Sequence, residues 1–131
     1  MARPLRVIAA LAVLLLLGAC GTKGIQLANS DPNYEGAVIF DENCGGCHTL
    51  AAAGTDGSST QVTSKEYKDG PNFNERKETK ADVLYAIRNG GFSSGPMPQN
   101  IVTGEEAEKV AEFVAQYSGS DVARPASPSA R

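Results

Sequence analysis

The sequence predicts an all-α domain, on three observations. Three segments carry helix start, face and stop signals; no stretch between Leu50 and Asn74 reads as a strand of convincing length; and the connections are long for a small domain. Long connections normally count against a compact assignment, unless the chain wraps something large.

The first predicted helix runs from about Tyr34 to Asn43. Asp31-Pro32 supplies a cap and a first-turn proline, and Gly36 and Phe40 share a face at i, i+4. The second runs from about Lys80 to Asn89. Thr79 and Asp82 fit a capping box, Val83, Leu84 and Ile87 make the apolar face, and Gly90-Gly91 ends it. The third starts at a Thr103/Glu106 capping box, with Glu105 and Glu106 favourable to the helix dipole. Its stripe is Val110, Phe113, Val114 and Tyr117, and Gly119 follows the last turn.

The chain has 131 residues, room for one domain. Residues 1–19 read as an export signal: Arg3 and Arg6, an apolar run from Val7 to Leu17, then small residues. That run is short for a bilayer-spanning helix. Leu17-Gly18-Ala19-Cys20 resembles the lipobox of bacterial lipoproteins, which implies cleavage before Cys20 and diacylglycerol on its thiol. The competing reading is an ordinary signal peptide, or an uncleaved anchor, with an incidental cysteine. Residues 20–31 are polar and read as a lipidated tether, with a reach on the order of 20 Å if flexible. The domain proper is then residues 32–118, followed by a Ser-, Pro- and Ala-rich tail at 119–131 that reads as disordered.

Charge narrows the partners. The formal net charge is −3, and it becomes −5 once Arg3 and Arg6 leave with residues 1–19. Nucleic acid is a poor match for such a surface, because phosphate binding needs a basic face. Attachment to anionic lipid by charge alone is equally disfavoured.

The chemistry lies in Cys44-Gly45-Gly46-Cys47-His48. C-x-x-C-H is the attachment signature of c-type haem: two thiols add across the vinyl groups, and the adjacent imidazole becomes the proximal iron ligand. A thioredoxin-like C-x-x-C belongs in a βαβ context, which this chain does not show. Zinc needs four ligands, and His48 is the only histidine. With Cys20 assigned to lipid, no thiol is left over.

The second axial ligand follows by elimination. Such an iron takes Met or a second His opposite the proximal His. Apart from Met1, the only methionine is Met97, in Gly95-Pro96-Met97-Pro98, where the prolines restrict the loop. A methionine can also serve as soft core filler, a role that a loop position between two prolines suits badly.

The order of these features resembles class I cytochrome c: a helix with Gly36 and Phe40, C-x-x-C-H, Gly70-Pro71-Asn72, a helix, Met97-Pro98 and a final helix. More narrowly, it is similar to the small lipid-anchored cytochromes of bacteria. The resemblance covers about residues 32–118 and implies the cytochrome c fold, three main helices and long loops around one covalent haem c. It implies that Cys44 and Cys47 form the thioethers, that His48 and Met97 ligate iron, and that the Pro71 carbonyl holds the His48 imidazole. It implies that Gly36 and Phe40 pack on the last helix at Val114 and Tyr117. Trp, frequent near a haem propionate in the family, is absent; Tyr67, Tyr85 and Arg88 are the substitutes considered. Phe73, Leu84, Ile87 and Ile101 are expected to line the haem pocket.

The functional expectation is a non-enzymatic electron carrier, a monomer tethered outside the cytoplasm through lipid at Cys20. It would run between a quinol-oxidising complex and a terminal oxidase or reductase, on partners with a basic docking face. A fixed haem subunit of a larger exported oxidoreductase is the first alternative. A gas- or peroxide-binding haem protein, which needs an open sixth position, is the second.

Overall fold

Helices of ten residues are marginal alone and must bury a face against a neighbour to persist. In the computed structural model, which describes residues 24–58 and 70–120, this is what the helices do. The chain order is α1 (Tyr34–Asn43), β1 (Thr49–Leu50), a 3-10 turn (Ala51–Ala53), β2 (Thr55–Asp56), α2 (Lys80–Asn89) and α3 (Gly104–Tyr117). The signal segment, Cys20, Tyr67 and the tail from residue 121 lie outside the described residues.

The bounds of α1 and α2 match those read from the sequence, but Asp31-Pro32 is not the cap and first-turn proline of α1: Asn33 is the N-cap, and both residues precede it. Asp31 acts in the turn before the helix. Its carboxylate accepts from the Asn33 N–H at 2.8 Å, closing a turn before Asn33 opens α1 with no side-chain cap. At α2, Thr79 Oγ1 accepts from the Asp82 N–H at 3.2 Å and its hydroxyl donates to Asp82 at 2.6 Å. Gly90 ends that helix in the left-handed conformation, φ 73°. The expected Thr103/Glu106 capping box is not formed at α3. Gly104 takes φ 57°, so the backbone after Thr103 lacks the continuous right-handed turn that such a box requires.

α1 and α3 form the centre of the core. A Cβ at Gly36 would stand 2.4 Å from the Lys109 carbonyl oxygen and 2.8 Å from Phe113 Cβ, so only glycine lets the helices meet this closely. One turn on, the Phe40 and Phe113 rings meet edge to face with centroids 5.7 Å apart. Phe113 and the Lys109 backbone thus meet the Gly36/Phe40 pair directly, within a core cluster that also holds Val114, with Tyr117 packed against it. Val114 also lines the cavity described below. Tyr117 packs on Phe113 and donates its hydroxyl to Asp31 at 2.6 Å.

Phe40, Leu50, Val110, Phe113 and Val114 are fully buried, each worth about 1.5–3 kcal/mol of transfer free energy. α2 joins α3 on the outside through Lys80, which bridges Glu108 and Glu112 at 3.2 and 2.9 Å. The two short strands pair antiparallel, Thr49 with Asp56 and Leu50 with Thr55. Thr49 and Ser58 exchange two further hydrogen bonds of 3.0 Å. This clip fixes the chain leaving His48.

Both margins of the domain are tied down. The Gln26 N–H donates to Ala52 O at 2.9 Å, and Ile25 and Leu27 pack against the core. Beyond α3, the Gly119 N–H donates to Phe73 O at 2.7 Å. Lys77 caps the last turn of α3 at the carbonyls of Ala115 and Gln116.

Candidate functional site

The backbone turn that ends α1 runs on into the Cys-Gly-Gly-Cys-His segment. The N–H groups of Cys44 and Gly45 both donate to Phe40 O, at 2.8 and 2.9 Å. Those of Cys47 and His48 both donate to Cys44 O, at 3.1 and 3.0 Å. A single turn thus carries both thiols and the imidazole to one wall of one cavity. Burial pushes the Cys44 thiol up to about 12, and the neighbouring Cys47 adds to the rise. Among the described residues, no three His, Cys, Asp or Glu side chains gather as a metal site, so a zinc reading finds no further ligands.

His48 is buried and held on three sides. Its Nδ1 donates to the Pro71 carbonyl at 3.1 Å, which leaves Nε2 with a free lone pair for a metal. Phe73 stacks on the ring, with centroids 4.6 Å apart and planes 10° from parallel. Gly70 closes the edge: a Cβ there would lie 2.4 Å from the imidazole Cε1. The imidazole's pKa is lowered, chiefly by burial, against the bond to Pro71 and the charge of Glu78. A neutral ring with a lone pair on Nε2 is the form that binds iron.

The cavity measures about 400 Å³, within the range of cofactor pockets. Cys44, Cys47, His48, Pro71 and Met97 all line it, so every site residue foreseen within the described chain comes to one place. Its apolar wall includes Phe40, Phe73, Val83, Ile87, Ile101, Val110 and Val114. Three of the four pocket residues read from sequence, Phe73, Ile87 and Ile101, are in that wall. Leu84 is not; it packs on the core beside the wall, because adjacent helix positions diverge by about 100°.

The propionate candidates fare differently. Arg88 points away from this cavity and faces Glu108 at 3.8 Å. Tyr85 stacks on Phe92 at 5.0 Å and is absent from the lining. The sole cation of the lining, among the described residues, is Arg76, joined there by Glu78 and Asp82. Glu78 is buried and its Oε1 lies in ion-pair contact with Arg76, in a geometry that makes no hydrogen bond. Sequence reading passed over both, because Glu75-Arg76-Lys77-Glu78 looks like an ordinary solvated charge run. The only available signal was its nearness to Pro71.

Comparison with known proteins agrees with this geometry. The family model described as cytochrome c matches residues 34–118. The chain belongs to the cytochrome c family. It is similar to the c-type cytochrome SorU from Sinorhizobium meliloti, at 38% identity and a TM-score of 0.51, over 66% of this chain and 91% of that one. Comparison with curated proteins gives no match. This cytochrome therefore carries haem c bound covalently and has the mostly helical cytochrome c fold. The residues present suit the group: two thiols on one turn, a neutral imidazole with one nitrogen already engaged, a thioether and an apolar wall in one cavity. Haem c, when bound, supplies a one-electron iron centre. The chain's own contribution would be to orient His48 and exclude water with the phenylalanine and aliphatic wall.

Proposed function

We propose that this cytochrome is a lipid-anchored electron shuttle outside the cytoplasm, without catalytic activity of its own. Electrons would arrive from a quinol-oxidising complex and leave to a terminal oxidase or reductase. The observation that carries this reading is that His48 and Met97 line the same cavity, Cys44 and Cys47 beside them. With both residues as axial ligands the iron would be six-coordinate in either oxidation state. Little would move on electron transfer, and no substrate would reach the metal without displacing a ligand. A thioether ligand also raises the reduction potential. Lipid at Cys20, supported by Leu17-Gly18-Ala19-Cys20, would keep the carrier at the membrane that holds its partners.

A fixed subunit of a larger exported oxidoreductase is the second reading. It is favoured by the stacked pair Tyr85 and Phe92, which are 52% and 63% exposed. Exposed aromatics beside a redox cavity suit a protein contact. One experiment separates the two. Membranes are solubilised under mild conditions and the haem-stained species is sized. A free carrier runs at the mass of one chain with its lipid and is re-oxidised by added oxidase membranes. A haem band that runs only at the mass of a large complex makes it a subunit.

A further inference from the structure

The segment between Cys20 and α1 is bound to the domain over most of its length. A Cβ at Gly54 would fall 2.0 Å from Gly24 O, so Gly54, at φ 70°, is where the incoming backbone presses on the domain. Two residues later the Gln26 N–H is bonded to Ala52 O, Ile25 and Leu27 sit against the core, and Asp31 is held by Tyr117. Only Gly21, Thr22 and Lys23 separate Cys20 from the first docked residue. The chain from Cys20 to Gly24 spans at most ~14 Å even when fully extended.

The docked segment and the turn beneath it are also uncharged, a property they share with residues 89–104 on the cavity side. Residues 24–30 and 49–55 contain no charged side chain, in a protein that is acidic as a whole. Asp31 and Asp56 border this face, and the other described acidic residues lie mainly on α1 (Glu35, Asp41, Glu42) and α3 (Glu105, Glu106, Glu108, Glu112). An uncharged face approaches an anionic bilayer without the repulsion an acidic one meets. No residue of 24–31 or 49–58 lines the haem cavity.

We infer that the short lipid-linked segment seats the domain on the bilayer by the uncharged face of residues 24–30 and Ala51–Gly54, leaving the cavity open to a membrane-bound partner. This rests on the lipid-anchor reading above. The domain then rocks on a short leash and presents its cavity at a restricted angle. That raises its effective concentration toward partners whose redox centres lie near the membrane and lowers it toward those that stand far out.

The test uses the full-length, membrane-extracted holoprotein in phosphatidylcholine–phosphatidylglycerol vesicles containing a nickel-chelating lipid. Nitroxide labels are placed singly through Ala51→Cys, on the seated face, and Ser94→Cys, in the loop that carries Met97; both sites are exposed. With the iron reduced, headgroup nickel should relax the label at 51 several-fold more than the label at 94. A long Gly-Ser insert between Lys23 and Gly24 should bring the two together. Equal relaxation at native length overturns the seated orientation while leaving the anchor intact. A difference that survives the insert overturns the leash as its cause. Intact mass is read on the same samples: absence of diacylglycerol at Cys20 overturns the anchor reading and this inference with it.

Discussion

At the scale of single residues, the two glycines inside the attachment motif are not equivalent. A Cβ at Gly45 would lie 2.7 Å from Thr55 Cγ2 and 2.8 Å from Asp41 O, whereas at Gly46 nothing lies within 4 Å. Gly45→Ala is therefore expected to cost about 1–3 kcal/mol, as overpacking does. Gly46→Ala should be neutral, or stabilise by about 0.4–1 kcal/mol through the unfolded chain. Urea unfolding of the two holoproteins checks this; equal losses would show that the turn does not press on β2. Met97 gives a second prediction. Met97→Ala should abolish the weak near-infrared charge-transfer band of the ferric protein and lower the potential, while haem stays attached through Cys44 and Cys47. Persistence of the band would remove Met97 as a ligand. Scarcity made these residues legible in the sequence: with one His and, besides Met1, one Met, the chain offers almost no other ligand set. Arg76 and Glu78 were not legible. A charge run reads alike whether its side chains face water or a cavity, and only the packing around Pro71 and Ser118 turns Glu78 inward.

At the scale of elements, helix limits were readable where caps and glycines act locally, as at Thr79 and Gly90. Helix-to-helix register was less so: the close approach at Gly36 sets which turn of α3 is opposite, and that brings the Phe113 ring onto Phe40. The bond from Tyr117 to Asp31 could not be read at all, since it joins residues 86 apart. It has a pH signature. The bond to Tyr117 foremost, then the Asn33 N–H, holds the Asp31 carboxyl below its ordinary value of 3.8. Its contribution is thus complete above the unfolded-state value and is lost as pH falls through the folded one. The Tyr117 phenol is held above its ordinary 10.0, chiefly by Asp31. Its share is complete below 10.0 and is lost as pH rises through the folded value. Tyr117→Phe should therefore unfold at lower urea than the parent near neutrality. The gap should close both in strong acid and well above pH 10. A gap unchanged across that range would assign the effect to packing on Phe113 instead.

At the scale of the whole molecule, the question is what an acidic carrier with a mostly apolar cavity asks of its partner. Without residues 1–19 the chain would carry −5, and among the described residues the surface acids lie mainly on α1 and α3. A partner with a basic face would be drawn in before contact, and such steering acts on the association rate more than on the lifetime of the complex. Raising ionic strength from low to physiological shortens the Debye length to about 8 Å and should slow second-order electron transfer with a soluble basic acceptor. On the lipid-anchor proposal, a short leash would change this in the membrane. There the carrier and a co-embedded partner would meet within a thin layer, so most of the encounter cost would be met by confinement rather than by charge. The salt dependence should consequently be steep for the domain lacking residues 1–23 in solution and shallow for the lipidated chain with its partner in one bilayer. Stopped-flow oxidation of both forms across the same salt series measures it. A flat or rising rate for the soluble domain would rule out charge steering, and equal slopes for the two forms would show that confinement adds nothing.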